Sequence, residues 1–311
     1  MNDWKTAATR RRLAGVAAIG LLTAALAATS GGAAASAEFG PAVPVAELNS
    51  GAADGCPIES PDGRSFFLAS TRAGTLGGND IWVAQRSNEQ EPWSTPERMA
   101  APVNTTANDF CPTPLHGKRL LFVSERPGGC NTGPGFGDIY LTRLHPVHGP
   151  DDPQHLGCVS DGSGPNFNGP EFSPSLVTTD AGTWLFFSST GYDANMDLYV
   201  SEQQADGSFG PPAKIIELST AADDRMPNVS PNGLEMVFVS TRTDLPGARG
   251  LHDIYLSRRQ HVSDPWGTPV NLGPNVNSAA SESRPSLSAD GDRLYFGRNG
   301  DIWMSTRAQG D

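Results

Sequence analysis

The chain has 311 residues, of which Gly 35 and Pro 26 make up close to a fifth, while charged residues reach only 18%. Beyond the N-terminus the longest periodic apolar run is about strand length and no long amphipathic helix is visible, which points to an all-β architecture. A formal net charge of −12 repels phosphate backbones and anionic lipid, so nucleic acid is not an expected partner.

Residues 1–37 have the layout of a cleaved secretory signal. Lys5, Arg10, Arg11 and Arg12 form a basic start, Leu13 to Ala28 an apolar stretch, and Ala35-Ser36-Ala37 a small-residue cleavage triplet. "TRRRLA" resembles a twin-arginine export signal. Gly15, Gly20 and the marginal length of the apolar run argue against an uncleaved anchor, so no membrane insertion is expected after cleavage. Cleavage leaves 18 basic against 33 acidic residues, a charge of −15. Residues 38–311 read as one domain, secreted or held in the periplasm or cell envelope as a monomer.

Alignment on turn glycines yields five copies of one unit: "SPDGRSFFLAST", "PLHGKRLLFVSE", "TDAGTWLFFSST", "SPNGLEMVFVST" and "SADGDRLYFGRN". A second strand follows each, in "NDIWVAQR", "GDIYLTRL", "MDLYVSEQ", "HDIYLSRR" and "GDIWMSTR". A carboxylate precedes each, three residues before a proline: Asp54, Asp109, Glu171, Asp224 and Glu282. Five residues earlier stands Asn49, Asn104, Asn166, Ser219 or Asn277. The turn glycines Gly63, Gly117, Gly182, Gly233 and Gly291 are 54, 65, 51 and 58 residues apart, room for four short strands, so the spacing predicts a five-bladed β-propeller of four-stranded blades.

An aromatic followed closely by proline marks the fourth strand in "WSTPERMA", "FGPPAKIIEL" and "WGTPVNLG". Proline is tolerated there because that strand is the blade's outer edge. In blade two the element is disguised, and "HLGCVS" around Cys158 is taken to fill it. Blade five has no such element after Arg307, whereas "FGPAVPVAEL" from Phe39 precedes blade one. The N-terminal strand is therefore expected to complete the last blade and close the ring.

The repeated "SPDG-x-x-x-x-F-x-S-x-R … D-[IL]-[YW]" unit resembles the TolB-type, WD-like β-propeller repeat family. The chain departs from TolB in having five repeats rather than six and in lacking its separate N-terminal domain. The resemblance implies a secreted or periplasmic binding scaffold and no particular reaction.

Asp54, Asp109, Glu171, Asp224 and Glu282 start the inner strands and should ring one mouth of the axis. They suit a cation, a polar ligand or a pair of glycosidase carboxylates, or else each caps its own loop and pairs with the arginine ending strand two, as Arg72, Arg126 and Arg242 are placed to do. Because the acid recurs in every blade whereas catalysis needs an asymmetric pair, the structural role is favoured. Asp80, Asp138, Asp197, Asp253 and Asp301 read as turn stabilisers, and Trp82, Tyr140, Tyr199, Tyr255 and Trp303 as core. No cofactor is expected. Asp193-x-Asn195-x-Asp197 hints at calcium, but Leu198 stands where such a loop wants glycine. The histidines lack metal-ligand or triad spacing, and no nucleophile elbow, phosphate loop or dinucleotide fingerprint is present. No metal site follows.

The expected function is non-enzymatic binding of a protein or cell-envelope glycan, the alternative a glycan-active hydrolase. The four cysteines, an even number in an exported chain, favour disulfides Cys130–Cys158 and Cys56–Cys111. A ligand is expected on the carboxylate face beside blades two and three, where blade two carries the longest insertions and Gly191 replaces the blade arginine. This should leave Glu171 free to meet a ligand, with Phe136, Phe167 and Phe172 either forming an apolar platform or pinning the loops down.

Overall fold

The structure is a computed structural model that describes residues 38–130, 136–192, 195–249 and 251–307. The signal segment and Asp193 of the calcium expectation lie outside the described residues.

Five antiparallel sheets succeed one another along the chain, each counted outward from the axis. Blade one comprises Asp54–Glu59, Ser65–Ser70, Asp80–Gln85 and Glu97–Arg98. Blade two comprises Asp109–Leu115, Arg119–Ser124, Asp138–His145 and Gln154–His155, with the extra strand Gly149–Pro150 paired to the end of its third strand. Blade three comprises Glu171–Thr179, Gly182–Ser189, Asp197–Glu202 and Ala213–Lys214. Blade four comprises Asp224–Val229, Glu235–Ser240, Asp253–Arg258 and Val270–Asn271. Blade five takes Glu282–Leu287, Arg293–Arg298 and Asp301–Thr306 from the C-terminal end and Val43–Pro44 from the N-terminal end.

Apolar residues alternate onto both faces of the second and third strands, so each blade buries itself between two neighbours. Five core clusters result, one per junction. The junction of blades five and one joins Tyr295 and Ile302 to Phe66, Leu68 and Trp93, which makes the ring continuous. Val43 pairs with Met304 and Pro44 with Trp303, while Gly40 N–H donates to the Thr306 carbonyl at 2.8 Å. Asn49 accepts from Ile302 N–H at 2.7 Å and donates back to the Ile302 carbonyl. Asn104, Asn166 and Asn277 make the same two bonds to Ile81, Ile139 and Ile254, which explains the asparagine that precedes four of the five carboxylates.

Every inner strand carries a β-bulge after its carboxylate. Cys56, Cys111, Ser173, Met226 and Arg284 all have positive φ, between 42° and 58°, and each precedes the repeat proline. Proline has no N–H to give to the ladder, so it fits where the bulge has already interrupted pairing.

Blade two corrects the sequence expectation in detail. Its fourth strand is Gln154–His155, paired with Leu141 and Tyr140, so "HLGCVS" only begins at that strand's last residue.

Phe39 is fully buried between blades four and five, and Leu48 is fully buried between blades five and one. Phe39→Ala should cost about 3–5 kcal/mol. Deleting residues 39–48 from the mature chain should expose the last blade's third strand as an open edge and drive aggregation. Thermal melting and solubility check both; a deletion variant that melts like the parent would contradict ring closure.

Candidate functional site

The inner strands begin on one face of the ring and end on the other at the turn glycines, so the five carboxylates share a face. All five are buried: Asp54 is 2% exposed, Glu282 1%, and Asp109, Glu171 and Asp224 0%. In blade one, Asp54 accepts from Ser50 N–H at 2.6 Å and Ser50 Oγ at 2.8 Å, which ties down the loop entering the strand. Its other oxygen accepts from Ser70 Oγ at 2.6 Å and Arg72 Nη2 at 2.5 Å. Asp109 repeats this knot with Thr105, Ser124 and Arg126. Asp224 repeats it with Thr220 and Arg242, and Glu282 with Ser278 and Arg298. Each arginine also donates to the carbonyl of Leu48, Val103, Leu218 or Val276 and lies over the repeat aromatic Trp82, Tyr140, Tyr255 or Trp303. In four blades, then, the acid is an internal strut.

Blade three lacks the arginine, as expected, but its consequence differs. A side chain at Gly191, where φ is +47°, would collide with Tyr199 Oη, the hydroxyl of the repeat aromatic. Glu171 is not free. It accepts from Phe167 N–H at 3.0 Å and Ser189 Oγ at 2.9 Å, and lies within hydrogen-bond reach of Asp138. Burial, and then the neighbouring Asp138 charge, raise the Glu171 pKa well above the usual carboxylate range. Glu171 Oε2 and Asp138 Oδ1, with no other partner, are the oxygens left to share the retained proton. Asp138 also accepts from Cys130 N–H at 2.5 Å and stands 3.0 Å from His155 Nε2. Without an arginine the acid finds its partners inside the protein, and the expectation that Glu171 stands free of them is corrected.

The aromatic platform divides. Phe167 is 4% exposed and packs against Tyr192 and Tyr199, which assigns it to pinning the loop. Phe172 is half-buried with Phe110, their ring centroids 5.9 Å apart, and only Phe136 is open, at 40% exposure. Leu76, Tyr192 and Leu251 are exposed in the equivalent loops of blades one, three and four. Sequence reading missed these three because they occupy loops of unequal length, where no repeat position singles them out.

Cys130 and Cys158 form a disulfide with Cα atoms 5.5 Å apart, joining blade two's two insertions. Cys56 and Cys111 remain thiols, against expectation. Both sit at positive-φ bulges, where their side chains are satisfied without a covalent bond: Cys56 and Cys111 are hydrogen-bonded, and Cys111 Sγ lies 3.6 Å from Ser173 Oγ. The hydrogen bond to Cys111 and burial push the Cys56 thiol up. Burial opposes ionisation of Cys111 too, but the Cys56 hydrogen bond and the Arg284 guanidinium prevail and bring it down to about 6.

No protein-family model matches the chain, and no curated protein sequence matches it. Solved structures do. A thermostable family-43 glycoside hydrolase matches with a TM-score of 0.56 at 14% identity, covering 85% of this chain and 92% of its own. The catalytic domain of a Coprinopsis cinerea GH62 α-L-arabinofuranosidase matches with a TM-score of 0.55 at 13% identity, covering 88% and 98%. A protein of Agrobacterium tumefaciens assigned to TolB has a TM-score of 0.49 at 17% identity, covering 84% and 77%. At these identities the likeness is one of fold: this chain is a five-bladed β-propeller.

Two substitutions separate the strut from the proton-sharing acid. Asp224→Asn strips the buried Arg242 of its counter-charge and should destabilise by about 3–5 kcal/mol. Glu171→Gln keeps the hydrogen bonds and should cost little. A carboxyl whose folded pKa is raised stabilises below its unfolded value and loses that contribution as pH rises through the folded value. The parent should therefore melt progressively lower than Glu171→Gln from pH 5 to pH 8, as read by calorimetry; a widening gap in the opposite direction would rule out a protonated Glu171. Non-reducing peptide mapping should find Cys130 joined to Cys158 and should label Cys56 and Cys111 as free thiols, the buried Cys111 only after unfolding.

Proposed function

We propose that the chain is an exported, non-enzymatic propeller that binds a protein or cell-envelope glycan through its carboxylate face. The observation that carries this reading is the commitment of all five ring carboxylates to buried internal bonds. A glycoside hydrolase needs two carboxyl groups facing a common space for sugar and water. Glu171 has the raised pKa of a general acid, but it is 0% exposed and the cause is burial beside Asp138, so it has no route to a glycosidic oxygen.

Leu76, Phe136, Tyr192 and Leu251 supply the contact surface, one exposed apolar side chain from each of blades one to four. Export is supported by the basic-apolar-small leader and by the Cys130–Cys158 disulfide. The deciding experiment is a glycan array and an envelope-protein pull-down run beside a hydrolysis screen on the secreted chain. Binding without release of reducing sugar is expected, weakened by Phe136→Ala with Tyr192→Ala. Catalytic release of sugar that Glu171→Gln abolishes would replace this reading with the hydrolase.

A further inference from the structure

On the face that carries the turn glycines, four of the five junctions between blades are plugged by an aromatic. In blades one, three, four and five an aromatic at the start of the fourth strand, Trp93, Phe209, Trp266 or Phe39, is buried in the junction with the preceding blade. In three of them an arginine at the end of strand three clamps it. Arg86 lies 4.0 Å from the Trp93 ring centre, Arg259 4.2 Å from Trp266 and Arg307 5.0 Å from Phe39. Each donates from Nε to the turn-glycine carbonyl, Gly63, Gly233 or Gly291.

Backbone bonds identify the matching residues of blade two. Gly267, Gly210, Gly40 and Ser94, each following its aromatic, donate to the strand-three carbonyl of Arg258, Glu202, Thr306 or Gln85; in blade two Asp151 donates to Arg143. Pro150 therefore stands in the aromatic's place. Arg86, Arg259 and Arg307 donate from N–H to Arg64, Leu234 and Asp292, and in blade two Leu144 donates to Lys118. Leu144 therefore stands in the arginine's place. Both parts of the plug are missing at the junction of blades one and two.

What remains is a cavity of about 590 Å³, with Leu144 and Gly117 on blade two facing Phe67, Val83 and Met99 on blade one. The equivalent junction of blades three and four, bounded by Phe186, Val200 and Ile215 and filled by Trp266 and Arg259, keeps only about 240 Å³. The same scaffold is thus seen plugged and unplugged. We infer that the cavity between blades one and two is a binding site for a small aromatic acid, whose ring takes the volume that tryptophan or phenylalanine takes in the sister junctions.

The charge follows from the rim. Lys118 is exposed and Arg119 half-exposed, and neither is paired with a carboxylate among the described residues. Among the described residues the one acid on the rim, Asp62, is turned onto Ser60 Oγ and Arg64 N–H, which together hold its pKa low. In a chain of net charge −12, two unpaired cations beside an apolar slot favour an anionic group over an amine. The ring enters first and the carboxylate stays at the mouth. The site lies on the face opposite the carboxylates and is independent of the glycan question. A hydrolytic activity in the screen above would end the binding reading without touching this pocket, and failure of the titrations below would leave that reading standing.

The test is calorimetric titration of the mature protein with indole-3-acetate, with uncharged 3-methylindole, and with an acetylated, amidated Asp-Trp-Asp peptide. Indole-3-acetate should bind at one site. Lys118→Ala with Arg119→Ala should weaken it by about tenfold, the loss of a charge-assisted contact, and leave 3-methylindole unchanged. Leu144→Arg with Pro150→Trp rebuilds the sister plug and should abolish binding while melting no lower than the parent. Should that variant fail to fold, the rim variant and the 3-methylindole comparison decide alone. Absence of binding by the parent, or undiminished binding in either variant, overturns the proposal; so does a peptide that binds where indole-3-acetate does not, since the site would then belong to a protein partner's side chain.

Discussion

A carboxylate buried at the head of each inner strand is the constraint on which the ring depends. Left unpaired there, an ionised acid would be costly, and a bare arginine equally so. Together they cancel, and their remaining valences are spent on the serine that ends strand two, the loop four residues upstream and the carbonyl that precedes it. One knot therefore fixes the entry loop, the first two strands and, through the ring beneath the arginine, the third. Four blades keep it, which is why an aspartate or glutamate that looks like a catalytic residue in one repeat is an architectural one in the set.

Departures from the repeat carry more information than the repeat. Blade three replaces the arginine by Gly191 and, because nothing else neutralises Glu171, retains a proton between it and Asp138. Asp138 belongs to blade two, so the exception in one blade is answered by its neighbour, next to His155 and the Cys130–Cys158 bridge. The described parts of blade two's insertions are thus tied to one another by polar groups and the bridge. On the opposite face the same blade loses two apolar-packing residues at once, and there nothing inside the protein fills the space.

The sequence made the blades legible because turn glycine, Asp-aliphatic-aromatic and carboxylate-x-x-Pro recur at fixed offsets, and strand pairing depends on local pattern plus register. Ring closure was legible for the same reason: the missing copy of a motif at one end was present at the other. The fourth strand of blade two was not, since Pro150 erased the aromatic by which its sisters are recognised; only the backbone bond of Asp151 reveals the match. The fate of Glu171 was half legible. Gly191 announced a missing arginine, but the acid that answers it, Asp138, lies 33 positions earlier and is joined to it by no periodicity. The Cys56–Cys111 expectation failed because equivalence in the repeat fixes neighbourhood and not side-chain partners.

The five bulge residues are equivalent by repeat yet differ in chemistry, and Arg284, 1% exposed, reaches from blade five to donate to the Pro112 carbonyl and Thr113 Oγ1 of blade two. A guanidinium there stays charged, and the described residues give it no carboxylate. The Cys111 thiol is drawn toward its thiolate by Cys56 and by this guanidinium. Arg284 and Cys111, both 1% exposed, are thus buried where the inner strands approach one another. Away from the axis, apolar side chains are exposed in the loops of the carboxylate face and volume is unfilled at the junction of blades one and two, and those are the places left for recognition.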